Sequence, residues 1–573
     1  MVRKVLLGGL LVVAMLAWGC SNEEHSMSPN SELAAPEVGA EAANADVPPE
    51  LRAAIEQALQ EDDAKGGVDL ARSQALFGFW HDIDGPTTIT SPGFYRVTGD
   101  FSTADDAIVI QSDWVYLYLG NHTLTGPGAK LGRGVVLDGV QFAAINGGNL
   151  ENFGLGVELQ ECQFVSIRGV RITGNDVFAD PAHGVAPQIG IMAVNSARNL
   201  IFRNRIELVN LGIFMRGGGT YSNRVFGNKL MGGDLGLLGI CYNPDGTGNP
   251  AGPHDDDVNR NQIERFRGGY QANFGTHEVV FRHNHIKYFD FDIEDKDGLG
   301  TYFNNHSMQI AAPMHTLTLN LNGLEDLGPN YAYEGWVIVN GSPVSTGVFT
   351  VDGGGTPSQT MFDVLSFDLA GAAKFVLTIE PVPDGDPNPS STHYLAGDFT
   401  SSDASLSVAD PAALGDDFTS AMGTFILNTP STGSDDTDYR QGIWWLDPTG
   451  GPDPTLVLPT LPAGWQYEGW VVGGGGPVTT GTFTSVSGFD SDAGGPTAGP
   501  DPVPPFPGQD YITPPKNLIG YAAVITIEPF PDNSPMPFTL KPLVDGDITD
   551  PGIGLPQGMG NNAASFPTGM AMR

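Results

Sequence analysis

Asn199-Leu-Ile-Phe-Arg-Asn-Arg-Ile206, Asn223-Arg-Val-Phe-Gly-Asn-Lys-Leu230 and His277-Glu-Val-Val-Phe-Arg-His-Asn-His-Ile286 are three versions of one phrase. Each is a short apolar run, a polar or glycine corner, and then an aliphatic residue. A strand this short, closed by Asn or Gly, turns and starts again. A second phrase alternates with it. Gly134, Gly156, Gly190, Gly212, Gly236 and Gly269 each open an apolar run such as Gly190-Ile-Met-Ala, at intervals of 22, 34, 22, 24 and 33 residues. Setting aside the inserts Asn175–Pro187 and Asn243–Val258 leaves a period of roughly 22 to 24 residues, the mark of a solenoid. Each coil would stack on the one before, bury an aliphatic column and pair its backbone with its neighbours. Val170, Ile172, Phe202, Ile206, Leu230 and Ile286 are expected to point inward.

Upstream, Ile108-Val-Ile and Leu117-Tyr-Leu-Gly-Asn-His-Thr-Leu read as early coils of the same stack. With them, residues 87–312 resemble the right-handed parallel β-helix of pectin-lyase-like proteins. The resemblance implies an all-β fold with a groove running along the coils. It implies no single reaction, because that fold hosts lyases, hydrolases, epimerases and non-enzymatic adhesins. The repeat also separates Cys162 from Cys241. Three coil steps of about 4.8 Å place them roughly 14 Å apart, whereas a disulfide needs Cα atoms within about 7 Å. Two separate buried thiols are expected.

The N-terminus carries an export signal: Arg3 and Lys4, an apolar stretch from Val5 to Ala17, then Gly19-Cys20. That stretch is too short to span a bilayer. The arrangement resembles the lipobox of bacterial lipoproteins, which implies a lipid on Cys20 and a membrane attachment through it. Residues 1–20 are thus the signal, 21–48 a polar tether, and 49–86 a lead-in whose Leu51, Ile55 and Leu59 have helical spacing. Acidic residues dominate the composition, with a formal net charge of −39. Residues 301–573 hold five Lys/Arg against 29 Asp/Glu, while 130–300 hold 16 against 19. Such a balance argues against nucleic acid as a partner, and it concentrates the basic residues in the solenoid.

The C-terminal part is duplicated. Tyr333-Glu-Gly-Trp336 recurs as Tyr467-Glu-Gly-Trp470, and Leu377-Thr-Ile-Glu-Pro recurs as Ile525-Thr-Ile-Glu-Pro. Alternating runs such as Thr316-Leu-Thr-Leu-Asn-Leu mark strands. Two tandem β-sandwich-like modules are therefore expected at 313–400 and 401–573, the second with a long Gly/Pro-rich loop. Their phrases resemble the extracellular C-terminal domain of anti-sigma-K factors, which agrees with export. Trp336 and Trp470 are expected in the module cores; a sugar-stacking platform is the other reading.

No Gly-x-Ser-x-Gly, His-Glu-x-x-His or phosphate loop stands in a fitting context. Three weaker constellations remain. Arg171, Arg205, Lys229, Arg265 and His285 each precede the aliphatic anchor of a coil, so in register they form an outer stripe, with Arg168, Arg203 and His283 beside it. Local pairing with Glu207, Glu264 and Glu278 would neutralise the stripe; otherwise it suits an anionic polysaccharide, whose carboxylates match arginine forks. The inserts hold Asp180 with His183, and His254 with Asp255, Asp256 and Asp257. Imidazole beside carboxylate could serve as acid and base, and the three aspartates could hold Ca2+. Last, Asp290, Asp292, Glu294, Asp295 and Asp297 form an acidic end, read as a cap more than a Ca2+ site. An envelope-anchored protein that recognises, and could cleave or modify, an anionic polysaccharide is the first functional expectation. A non-enzymatic adhesive or structural surface protein is the alternative.

Overall fold

The computed structural model describes residues 47–59, 80–128, 131–176, 186–243, 252–273, 275–296, 298–433, 436–531 and 534–573. Two units divide the chain, residues 1–313 and 314–573. In the first unit, 24 strands from Trp80–Ile83 to His306–Gln309 form one sheet. Its pairings are parallel and step from coil to coil. Leu200 faces Arg224, which faces Asp257; Ile206 faces Leu230, which faces Ile263; Ile191 faces Ile213, which faces Ile240. These three series define a first, second and third face, and the whole is a parallel β-helix. The helix Pro49–Leu59 lies on the early coils, where Leu51 and Ile55 pack with Phe94, Trp114, Tyr116 and Ala144 outside the solenoid core.

Why glycine opens the third-face phrase is a matter of space. A Cβ on Gly190 would lie 2.4 Å from Ile206 Cγ2 and 2.5 Å from Gly212 O. Each glycine lets the backbone settle onto the aliphatic side chain of the opposite face. The same geometry corrects one repeat assignment: Gly239, not Gly236, follows Gly212 in the column, because Ile240 pairs with Ile213. The turn through Gly232 and Gly236 delays that strand by three residues.

Asn204, Asn228, Asn261, Asn284 and Asn305 stack inside the corner between the first and second faces. From Asn228 onward each Oδ1 accepts the backbone N–H and the Nδ2 of the rung before it, at 2.9–3.1 Å, and Asn204 Oδ1 accepts from Val170 N at 3.0 Å. The Nδ2 groups also reach back to carbonyls such as Ile201 O at 2.8 Å. The ladder satisfies corner backbone groups that a buried turn would otherwise leave orphaned.

Val170, Ile172, Ile206, Leu230 and Ile286 lie in the solenoid core as expected. Phe202 does not. Ile201 takes the inward place, and Phe202 packs outward with Leu200 and Phe226 in a separate cluster. The first face is apolar on both sides here, so alternation alone leaves its phase open. Cys162 and Cys241 are both buried and outside any disulfide. Burial pushes the Cys162 thiol up to about 12.

In the second unit the duplicated phrases build matching antiparallel ribbons, Tyr331–Val339 with Ala372–Pro381 and Trp465–Gly473 with Ala522–Pro529. The motif residues bond alike in both. Trp336 Nε1 donates to Thr378 Oγ1 and Trp470 Nε1 to Thr526 Oγ1, each at 2.9 Å. Tyr333 and Tyr467 each donate to a carbonyl eight residues upstream, Glu325 O and Pro459 O. Trp336 and Trp470 are 2% exposed, so they are interior residues and offer no stacking platform. The strand Thr568–Met572 pairs with both Met314–Asn322 and Asp403–Leu406, and residues of both copies share one core.

Candidate functional site

The corner between the first and second faces requires the left-handed backbone region. Gly169 and Gly227 occupy it in two coils, but Arg203, Arg260 and His283 hold it at φ 54°, 53° and 54°. That conformation costs a non-glycine residue about 1 kcal/mol or more. It directs these side chains outward along a ridge. Arg168, at the end of its first-face strand, joins the ridge; its guanidinium lies over the Phe202 ring, 4.9 Å from the centroid. Burial first, and then the Arg203 charge, lower the Arg168 pKa.

Beyond the ridge, Arg171, Arg205, Lys229, Gln262, His285 and His306 form one outward column on the second face. Gln262 thus stands where Arg265 was expected. Ile263, not Phe266, is the anchor of this coil, pairing with Leu230 and Ile286, so Arg265 falls outside the column and pairs with Asp234 instead. The parallel outward column runs Glu207, Met231, Glu264, Lys287. Glu207 accepts from both Arg171, at 2.9 Å, and Arg205, at 2.5 Å. Those hydrogen bonds, Arg205's first, hold its carboxyl below the usual carboxylate range. Lys287 meets Glu264 at 3.2 Å. Local pairing therefore accounts for part of the stripe, yet one carboxylate serves two arginines, and Lys229 follows them in register.

Of the candidate acid–base residues, His254 and Asp255 do not join this face. Asp180 and His183 lie outside the described residues. His254 and Asp255 sit at the corner between the third and first faces, across the first face from the ridge. His254 stacks between Tyr221 and His277, at centroid distances of 5.3 and 5.0 Å. The Nδ1 of His254 lies 3.1 Å from Gly252 O. Asp255 is exposed at φ 57°.

Nor do Asp255, Asp256 and Asp257 form a Ca2+ cage. Asp256 points into the core at 1% exposure, while Asp257 points outward and accepts from Arg282 at 2.7 Å. Asp255 holds a left-handed turn, and Asp256 and Asp257 face opposite ways as the strand begins, so the three carboxylates are not gathered at one place. Among the described residues no group of three or more His, Cys, Asp or Glu could hold a metal ion. At the acidic end, Asp295 accepts from Gly298 N, Gly300 N and Tyr302 Oη at 3.1, 2.9 and 2.8 Å, and Asp290 pairs with Arg267. Asp297 lies outside the described residues.

The fold and this face define a parallel β-helix with a basic outer ridge. Residues 304–393 match the family model of the anti-sigma-K factor rskA C-terminal domain. No curated protein matches the chain. Among solved structures, one likeness is to a tailspike protein mutant of E. coli bacteriophage HK620 in complex with a pentasaccharide. It has a TM-score of 0.30 and 10% identity, covering 43% of this chain and 53% of that one. Another is to a hyperthermoactive exopolygalacturonase of Thermotoga maritima, with a TM-score of 0.30 and 11% identity, covering 45% and 82%. A third is to bacteriophage CBA120 tailspike protein 2, with a TM-score of 0.29 and 7% identity, covering 57% and 68%. The chain spans about half the length of the HK620 tailspike. The β-helix assignment rests on the strand register itself.

Proposed function

We propose that this is an envelope-anchored surface protein whose β-helix binds an anionic polysaccharide along the ridge between its first and second faces. The observation that carries the reading is the in-register column Arg171, Arg205, Lys229, Gln262, His285, whose first three members are cations, flanked by Arg168 and Arg203 at the corner. Two arginines that share one carboxylate, with a lysine next in register, repel one another in a chain whose net charge is −39, and they suit an anionic, extended ligand. Guanidinium forks suit uronate-type carboxylates. Recognition without catalysis fits the placing of His254 and Asp255 away from the column, so the binding, adhesive form of the function is favoured over an enzyme. The Cys20 lipid would tie the protein to the membrane, and the tether 21–48 would present the β-helix away from it.

Binding is tested with Arg205 and Lys229 both changed to Ala. Each side chain projects outward, so the fold is expected to survive and affinity for a polyuronate to fall at least tenfold. Affinity for a neutral glycan should not change. Equal polyuronate affinity in the variant and the wild type would dispose of the column. On the same polyuronate, new reducing ends or unsaturated products would establish an enzyme in place of an adhesin. The anchor has its own test: Cys20→Ser should leave membranes for the soluble fraction, and continued pelleting of the variant would refute lipid attachment.

A further inference from the structure

A second ladder lines the corner that leads into the first face, and its last rung is an aspartate. Val165 N donates to Asn199 Oδ1 at 2.9 Å, Asn199 N to Asn223 Oδ1 at 3.0 Å, and Asn223 N to Asp256 Oδ1 at 2.6 Å. Asn223 Nδ2 also reaches Asp256 Oδ1, at 3.2 Å. One oxygen of Asp256 thus does what every asparagine Oδ1 does in the ladder. The other oxygen stands where the asparagines carry Nδ2. In the earlier rungs that group donates to a carbonyl of the preceding coil, Asn199 to Cys162 O and Asn223 to Ser196 O. By the register that pairs Tyr221 with His254, the corresponding carbonyl for Asp256 is Thr220 O. Oδ2 is buried and has no hydrogen-bond partner. Two acceptor oxygens would face each other unless a proton lay between them.

The surroundings favour the proton. Asp256 is 1% exposed. Tyr242 is packed beside it from the third face with its hydroxyl close to the carboxyl, an interaction that opposes the effect of burial without closing a well-formed hydrogen bond to Oδ2, and Tyr270 is next in the stack. Asp255 precedes it, and Asp257, which follows it, is engaged by Arg282. Tyr302 and Asp295 act on Tyr270 from the later coils. None of the groups that act on the Asp256 carboxyl is a cation, and burial pushes it up to about 7.

We infer that Asp256 is a neutral carboxylic acid in the folded protein, its proton completing the ladder, and that losing this proton is a switch that loosens the coils from His254 onward. The sign follows from linkage. The folded carboxyl keeps its proton to near pH 7, whereas the opened form releases it at the ordinary carboxyl value of about 4. Opening should therefore become easier roughly tenfold per pH unit between about pH 4 and 7, about a thousandfold in all, and then level off.

The test is amide hydrogen exchange on the full chain from pH 4 to 9, corrected for intrinsic rates, in the wild type and in Asp256→Asn. The amides to follow are Asn223 N and Val280 N, which bond to Asp256 Oδ1 and to Asp256 O. In the wild type the opening constant should rise to a plateau near pH 7. Asp256→Asn restores the missing donor and should hold the wild type's acid-side value at every pH. Infrared difference spectra provide a second reading: a protonated-carboxyl band at pH 6, absent from Asp256→Asn. A pH-independent opening constant in the wild type would overturn the inference, as would the absence of that band. Suppression of opening at pH 8 by added Na+ or Ca2+ would assign the place to a metal cation and overturn it equally.

Discussion

Asn228→Leu is expected to destabilise the β-helix by about 2–6 kcal/mol. The Asn228 side chain accepts from Asn204 N and Asn204 Nδ2 and donates to Asn261 Oδ1 and Ile201 O. Leucine of similar volume fills the space but leaves Asn204 N buried without its acceptor, and it takes one hydrogen bond each from Asn204 Nδ2, which keeps Ile167 O, and from Ile201 O. The orphaned N–H costs about 1–3 kcal/mol and each of the two lost hydrogen bonds about 0.5–1.5 kcal/mol. Urea unfolding of the variant should show the loss in the β-helix transition. Asn228→Asp is the informative companion. It keeps the acceptor and loses the donor, as at Asp256, so its penalty should be larger at pH 8 than at pH 4. A change below 1 kcal/mol for the leucine variant would mean that water or another side chain satisfies the corner.

Gly190→Ala should cost about 2–4 kcal/mol, the upper part of the range for forcing atoms into a packed core. The new methyl would meet Ile206 Cγ2 at 2.4 Å and Gly212 O at 2.5 Å. Ile206→Ala alone should cost about 2–5 kcal/mol, because that side chain is fully buried. Combined, the two changes should cost less than their sum. The truncated Ile206 removes one of the two collisions, while the contact with the Gly212 carbonyl stays. Strict additivity in the double-mutant cycle would show that the glycine column and the aliphatic column do not touch as described.

The solenoid was legible because its repeat fixes both a corner residue and an inward aliphatic in each coil. Ile172, Ile206, Leu230 and Ile286 followed from that spacing, and so did the separation of the two thiols. Phase was not legible where both sides of a strand are apolar, so Leu200-Ile-Phe202 could be read either way. Only packing shows that Ile201 is inside. Arg265 precedes Phe266, which is not the coil's anchor; the corner phrase of Asn204-Arg-Ile206 and Asn228-Lys-Leu230 recurs as Asn261-Gln-Ile263, and that mark in the sequence puts Gln262 in the column. The asparagine ladders were half visible. The recurring Asn was noted as a corner, but a turn residue commonly faces solvent, and nothing in one sequence says that these face inward. Asp255-Asp-Asp257 looked like one acidic site because neighbouring carboxylates lie close in sequence. The turn and the strand that follows it send them in different directions and make the middle one a ladder rung. The duplicated Trp residues are core, as expected, and the structure adds their partners, Thr378 and Thr526, which stand in the second repeated phrase of each copy.

The central functional claim is most directly tested by the salt dependence of polyuronate binding to the full chain, measured beside a neutral glycan of the same length. Charges exposed on an outer column are screened over about 8 Å at physiological ionic strength. Polyuronate affinity should therefore fall steeply from low to physiological salt, and less steeply once Arg205 and Lys229 are Ala. The neutral glycan should bind weakly at every salt concentration. Polyuronate binding that does not respond to salt, or neutral-glycan binding of equal strength, would contradict the assignment of the basic ridge as the binding face.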